Sequence, residues 1–554
     1  MSSQDGSVDR DRLTFDRASQ CSKRRRFCVA ALVMWCFIGG STNPLAAAEA
    51  KPGHSTASGP NVLFIAVDDL NDWIEPLGGH PQSQTPNLRA FCEGPSMLFD
   101  NAHCPGPVCG PSRSALLCGR MPHKTGVYGN KHHMLHSPYV QTHATLPEYF
   151  AKHGYHTVSR GKIFHAHTVD GRVDRGQWAF CEHVASERGP GGGMDQSRLT
   201  SRERNLVDGR PGRPSKWTKR TGSEFAWGPT KGSTAETSDF RTAQWAAERL
   251  KTLDPNQPFF MAIGFSKPHL PFVVPQEFFD RYDVERIQPT RIQTTDLSDI
   301  LTPGGRPAFE PTPDYRWIED QGLMREVTQA YLAAVSFADH CVGTLLDGLA
   351  QSPHAENTVV VIWGDHGWHL GEKMRFRKAT GWIESTRCPL MIRTPGMRKP
   401  LRTDAAVNLM DLYPTLVDLC KLEPRELDGR TLVPLWQDGG ETLEAKFQQT
   451  ETIFGPGNIS MIDGDWHYIR QGDIEQLYDL SSDPWEWTNL VPNADLAIER
   501  RLDSFRGRMP EFAEAVPKVY SARRASDVKD VDEKRPAGEH TDGPRIVRNL
   551  ATLE

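Results

Sequence analysis

The chain has 554 residues, 38% of them hydrophobic and 24% charged, with 64 Lys and Arg against 70 Asp and Glu and a net charge of −6. That length supports a large core and more than one domain. The acidic balance excludes a general nucleic-acid binder, which carries a basic footprint, and eleven cysteines without one Cys-x2-Cys pair exclude the common zinc frameworks.

The first element is a leader. Lys23-Arg24-Arg25-Arg26 precedes the apolar stretch Phe27–Ile38 and the small residues Leu45-Ala46-Ala47-Ala48. Basic, apolar and small-residue regions in that order read as a signal peptide over 1–48 with a long basic region. The apolar stretch is short for a membrane span, so no stable membrane insertion is expected. The chain is then exported, to the periplasm or beyond. Cys21, Cys28 and Cys36 leave with the leader. Eight scattered cysteines stay in a compartment that permits disulfides, with no pairing legible.

Asn61–Val67 (NVLFIAV) is a continuous, β-branched-rich run, as in a strand buried on both faces. Similar runs lie at Tyr155–Ser159, Phe259–Phe265 and Thr358–Trp363, with helical patterns between them. The clearest helix has Val327, Tyr331, Ala334, Val335, Ala338, Val342, Leu345, Leu346 and Leu349 on one face. The alternation predicts an α/β fold with a mostly parallel sheet over 49–440. Segment 186–235, rich in Gly, Arg, Ser and Pro, reads as a long insertion. Its basic residues suit either a solvated loop or a polyanion. Short aromatic strands after 440 predict a smaller α+β subdomain over 441–520. The charged residues 521–554 read as a disordered tail.

In parallel sheets, ligands sit beyond the carboxyl ends of the strands. Each run here is followed by chemistry there: Asp68-Asp69, then Lys162 and His165, then Lys267-Pro268-His269, then Asp365-His366. Three carboxylates suit a hard divalent cation, Ca²⁺ or Mg²⁺. Either Asp pair taken alone reads equally as a helix cap or a loop. A thiolate at Cys109 fits such an oxygen-rich set poorly, because sulfur suits soft metals.

Cys109-Gly110-Pro111-Ser112-Arg113, followed by Leu117-Cys118-Gly119-Arg120, places a thiol beside a proline suited to the first turn of a helix. Helix N-termini gather anions on unpaired N–H groups. A cysteine phosphatase needs five residues between Cys and Arg; three stand here. The run instead resembles the type I sulfatase signature Cys-x-Pro-Ser-Arg-x3-Leu-Thr-Gly-Arg, with Cys118 in place of the usual Thr. Asp365-His366-Gly367-Trp368-His369-Leu370-Gly371-Glu372, Lys267–Phe272 and Gly161–His165 sharpen the resemblance to the iduronate-2-sulfatase-like branch, across most of 60–500.

That resemblance implies an alkaline-phosphatase-like α/β sandwich. It implies that a maturation enzyme converts Cys109 to formylglycine, whose hydrate attacks sulfur to give a covalent sulfo-enzyme. It implies one Ca²⁺, with Mg²⁺ the alternative, held by Asp68, Asp69, Cys109, Asp365 and His366. Arg113, Lys162, His165, His269 and Lys378 become the sulfate-contacting and acid–base residues. Arg375 and Arg377 compete with Lys378 for its role, and Trp368 reads as a sugar platform or as core. The implied substrate is a sulfated oligo- or polysaccharide such as a 2-O-sulfated uronate. The alternatives are a phosphonate or phosphate ester hydrolase of the same superfamily, and an exported glycan-binding pseudoenzyme with Cys109 unmodified.

Overall fold

In the computed structural model, the described residues are 59–169, 172–186, 225–230, 232–437, 446–521 and 548–554. The leader 1–48, most of the insertion (187–224) and most of the tail (522–547) lie outside them.

Eight strands form the central sheet: β1 (Asn61–Val67), β2 (Met97–Phe99), β3 (His156–Gly161), β4 (Glu182–Val184), β5 (Phe259–Phe265), β6 (Thr358–Gly364), β7 (Leu390–Arg393) and β8 (Leu401–Thr403). Their spatial order is β8-β2-β7-β6-β1-β5-β3-β4. Every neighbouring pair is parallel except the two made by β7, so seven strands point one way and β7 alone runs against them. The mostly parallel sheet expected from the sequence is present, as an alkaline-phosphatase-like sandwich.

The apolar run of β1 has a direct cause. Leu63, Ile65 and Val67 enter one core; Val62, Phe64 and Ala66 enter the other. Side chains alternate across a strand, so a strand with helices on both faces needs apolar residues at every position. Burying each large apolar side chain contributes roughly 1.5–3 kcal/mol. α1 (Cys109–Cys118) lies in the second core, whereas α2 (Ser238–Thr252) and α3 (Met324–Ala350) cover the first. α3 is long and apolar enough to cross a membrane, but it is buried against the sheet and α2, which accounts for its composition.

The C-terminal part is a four-stranded antiparallel sheet: β9 (Gln449–Gly455), β10 (Asn458–Asp463), β11 (Trp466–Gln471) and β12 (Ile474–Asp479). Tight turns at Gly464 (φ 57°) and Gly472 (φ 61°) join the last three strands, where glycine takes the left-handed backbone without cost. Helix α4 (Leu496–Arg506), capped by Asp495, covers this sheet, with Phe505 stacked on Tyr468 at 5.1 Å.

Two boundaries are corrected. The insertion ends before 225: Phe225, Ala226 and Trp227 are buried, and Trp227–Thr230 pairs in parallel with Phe272–Pro275. Nor is the whole of 521–554 a loose tail. Leu553 is buried, Ala144 and Glu554 exchange a backbone bond of 2.9 Å, and Arg548 Nε lies 2.9 Å from Glu148. A single apolar residue with backbone pairing anchors a segment whose composition looks fully solvated. All eight described cysteines are free thiols.

Candidate active site

The site assembles where β1, β3, β5 and β6 end. Asp68 and Asp69 follow β1, Lys162 follows β3, and Asp365-His366 follow β6. Glycines bring these ends together. A Cβ on Gly264 would sit 2.1 Å from the Lys162 carbonyl oxygen, so the β3 and β5 ends can touch only without one.

Cys109 is the first residue of α1 and has no exposed surface. The Gly110 N–H of this first turn donates to Asn130 Oδ1 at 2.7 Å. Around the sulfur stand Lys378 Nζ at 3.2 Å, His366 Nε2 at 3.4 Å, Lys162 Nζ at 3.5 Å and Asp69 Oδ1 at 3.9 Å. Burial and Asp68 push this thiol up, but Lys162 and Lys378 outweigh them and bring it down to about 7. A side chain at residue 109 is therefore held ready to carry negative charge.

The carboxylates are buried and held from behind. Asp69 adopts φ 61° and is tied by its N–H to Asp365 Oδ1 (3.0 Å) and by its carbonyl to the Tyr331 hydroxyl (2.8 Å). Lys162 pairs with Asp68, and Lys378 with Asp69. His269 Nε2 reaches Asp69 Oδ2 at 3.6 Å, with its Nδ1 2.6 Å from the Leu270 carbonyl. His366 likewise has Nδ1 2.9 Å from the Gly367 carbonyl, which leaves Nε2 facing the carboxylates. Burial raises Asp68, yet Lys162, His269 and Arg113 hold it well below the usual carboxylate range. Burial and the neighbouring Asp68 push Asp69 up to about 7 against Lys378.

These ligand atoms fall into two sets sharing Cys109: Asp68, Asp69, Cys109 and His269, and Cys109, Asp365 and His366, each within 4.8 Å. Asp69 Oδ2 is buried without a hydrogen-bond partner. An orphaned buried carboxylate oxygen is costly, and a hard cation would satisfy it. The residues fit a divalent ion. His269 stands at the edge of this set, beside the expected five.

Arg113 was expected to clamp the sulfate; it is fully buried, and each of its three guanidinium nitrogens donates to the protein. Nε donates to Asp365 Oδ2 at 2.7 Å and Nη2 to Asp68 Oδ1 at 3.3 Å. Nη1 donates to the carbonyls of Lys162 and of Ile163, the latter at 3.1 Å. Arg113 aims the carboxylates from behind, with four of its five N–H groups committed to them and to the Lys162 and Ile163 carbonyls. Trp368 resolves as core, 2% exposed, with Lys378 Nζ 5.1 Å above its ring. Arg377 pairs with Asp314 at 2.6 Å and Arg375 lies over Trp382, so of these three residues Lys378 is the one at the site. His165 is buried further along the β3 loop, its ring edge-on to His167 at 5.0 Å.

Sequence reasoning missed three supports. Ser112 Oγ donates to the Asp365 carbonyl at 2.5 Å, Tyr331 holds Asp69, and Asp239 accepts the Ser266 and Lys267 N–H groups at 2.8 Å each, fixing the His269 loop. Ser112 stood inside the signature. Tyr331 looked like any core position on its helix face, and nothing marked Asp239.

A parallel sheet whose strand ends bury three carboxylates, three fixed cations and a polarised residue at a helix start defines a hydrolase of oxyanion esters. The family model described as Sulfatase matches residues 60–422, and the chain belongs to the sulfatase family. It is 36% identical to a sulfatase of Formosa agariphila over 84% of this chain and 89% of that one. To human iduronate 2-sulfatase it is 30% identical, over 80% and 84%. Among solved structures it resembles the phosphonate monoester hydrolase of Agrobacterium radiobacter in fold (TM-score 0.61, 21% identity, 81% of this chain and 96% of that one).

Proposed function

We propose that this sulfatase removes sulfate from a sulfated saccharide, a 2-O-sulfated uronate of a glycosaminoglycan-like chain, after Cys109 has been converted to formylglycine. The likeness to iduronate 2-sulfatase over most of both chains supports the substrate. The observation that carries the chemistry is the placement of residue 109. It starts a helix, is buried, and lies within 3.5 Å of Lys162, Lys378 and His366.

Asp68, Asp69, Asp365 and His366, with an oxygen of modified residue 109, would hold Ca²⁺; when bound, the ion polarises the sulfate and acidifies a hydroxyl beside it. The aldehyde hydrate at residue 109 supplies one hydroxyl to attack sulfur and a second through which sulfate is released. Lys162 and Lys378 take the sulfate oxygens and hold the charge that builds as the sulfur–oxygen bond to the sugar breaks. Their ammonium groups flank residue 109 from two loops, so an ester seated between them presents its sulfur to that residue. His269 carries the proton for the departing sugar oxygen on Nε2, while its Nδ1 stays fixed on the Leu270 carbonyl. His165 accepts the proton of the second hydroxyl. Arg113 positions Asp68 and Asp365. Export through the leader and maturation by a formylglycine-generating enzyme precede activity.

The test is a panel of defined sulfated disaccharides, with phosphonate and phosphate esters alongside, assayed on enzyme whose residue-109 peptide is checked by mass spectrometry. Hydrolysis of the 2-O-sulfated uronate is expected. Fully converted, calcium-loaded enzyme that is inert toward every sulfo-sugar, or faster on phosphonates, defeats the proposal.

A further inference from the structure

A cavity of about 560 Å³ is lined by the loops that carry the carboxylate cage but by none of the cage side chains. Its volume falls within the range of small-molecule sites, ~300–1,000 Å³. Its walls belong to the loops that carry the cage. Asp72 and Trp73 lie just beyond Asp68-Asp69, Glu372 lies between Asp365 and Lys378, and Glu384 and Arg387 follow Lys378. Trp485, from the turn after the antiparallel sheet, closes it.

The chemistry of these walls is specific. Trp485 is 40% exposed, one of two large apolar side chains left so open among the described residues. It stacks on Trp487 at 5.9 Å, which fixes its ring plane, and the Arg291 guanidinium stands 5.6 Å from its centre. Arg291 makes no ion pair among the described residues, so its charge is available to a ligand. Arg387 is spent on Asp72, and Glu372 on Thr290 Oγ1 (2.7 Å) and the Leu370 N–H (2.6 Å). Glu384, by contrast, lines the cavity with its side chain 15% exposed; its buried Oε2 has no hydrogen-bond partner and lies 4.0 Å from His369 Nδ1. The cavity thus offers a part-exposed aromatic ring, one guanidinium that lies over that ring and makes no ion pair among the described residues, and one part-exposed carboxyl group.

Each simpler ligand class leaves part of this set unsatisfied. A cation meets two arginines, a polyphosphate meets three carboxyl groups, and a purely apolar molecule strands Glu384 and Arg291. An acidic sugar has what the walls lack. Its ring has an apolar face to lie on an indole, hydroxyl groups to donate to a carboxyl oxygen, and a carboxylate that a guanidinium grips in two-point fashion. The geometry points to a saccharide subsite in this cavity, built on Trp485, Arg291 and Glu384, that takes uronate-containing units flanking the sulfated ring in the cage. It rests on the saccharide substrate proposed above, and it makes the C-terminal subdomain part of substrate recognition.

The experiment uses the full chain carrying Cys109→Ala, so that nothing turns over, and a fully desulfated uronate-containing tetrasaccharide as the probe. Titration calorimetry and tryptophan fluorescence should show saturable binding. Trp485→Ala and Arg291→Gln, each added to that background, should weaken it at least ~tenfold, as aromatic and arginine anchors do when removed. Both side chains are exposed, and unchanged melting temperatures will show that the fold is intact. Absence of saturable binding, or affinity that neither substitution alters, overturns the subsite. Turnover of sulfated disaccharides by the Cys109 chain is measured separately: its absence would sink the substrate reading, while binding of the desulfated probe would stand.

Discussion

Two buried charge clusters in this protein follow opposite rules. The cage around Cys109 leaves Asp69 Oδ2 without a hydrogen bond and gathers Lys162 and Lys378 about one sulfur atom. The cluster around Lys373 is closed upon itself. Lys373 Nζ meets Asp296 at 2.9 Å and the carbonyl of Glu486; the Glu486 carboxylate takes His467 and the Ile383 N–H, and Ser460 meets the far side of His467 at 2.6 Å. That second cluster joins the catalytic loops to the antiparallel sheet. Burying charge is therefore not what marks a site here. Incomplete satisfaction of the charge is, because a saturated network has no capacity left for a ligand.

The largest test of this contrast is Cys109→Ala. It should lower kcat/KM on a sulfate ester by at least ~10⁴-fold, the scale seen when a nucleophile is removed, with the melting temperature within a degree or two of the parent. A parallel loss of stability would mean the cage also holds the fold together.

Lys373→Ala is the mirror image. Removing one partner of a buried pair costs ~3–5 kcal/mol, because Asp296 is left buried without its counter-charge and must take up a proton. Denaturant unfolding should report that loss, while folded protein keeps kcat within a few-fold. Lys373→Met, which fills the space, should cost less than the alanine. If kcat instead collapses in well-folded Lys373→Met, the two clusters are one functional unit.

The contrast also explains what the sequence could reveal. β1, β5 and β6 were legible because burial on two faces forces an unbroken apolar run, and the polar residues at their ends stood out against it. Cys109 and Arg113 were legible because signature residues sit within one helical turn. The role of Arg113 was not, because its partners lie 45 and 252 residues away. Asp239 and Tyr331 act at similar range. The Lys373 cluster gave no signal at all: nothing in the sequence links Asp296, Lys373, His467 and Glu486 until the fold closes them together. The last residues misled for the same reason, since only the docked Leu553 distinguishes them from a solvated end.

Lys378→Ala should fall below the loss of the nucleophile. Removing one pre-placed charge from a transition state costs ~10²–10³-fold in kcat, and Arg375 and Arg377, committed to Trp382 and Asp314, cannot substitute. Steady-state kinetics on a sulfated disaccharide will decide it. A change in KM with kcat intact would place Lys378 in ground-state binding alone and leave Lys162 as the charge that matters.

The smallest effect concerns pH. Burial raises the Glu486 carboxyl, but the charge and hydrogen bond of His467 together with Lys373 overcome that and lower it from 4.5. A carboxyl whose folded value lies below its unfolded one binds fewer protons in the native state, so its contribution to stability is present above the unfolded value. It is lost as pH falls from there through the lower folded value. Melting temperature between pH 6 and pH 3 should therefore drop more steeply in the parent than in Glu486→Gln, which starts lower and has nothing to titrate at that position. Equal slopes would mean that the closed cluster owes its stability to packing around Lys373 and His467, with the Glu486 charge contributing nothing measurable.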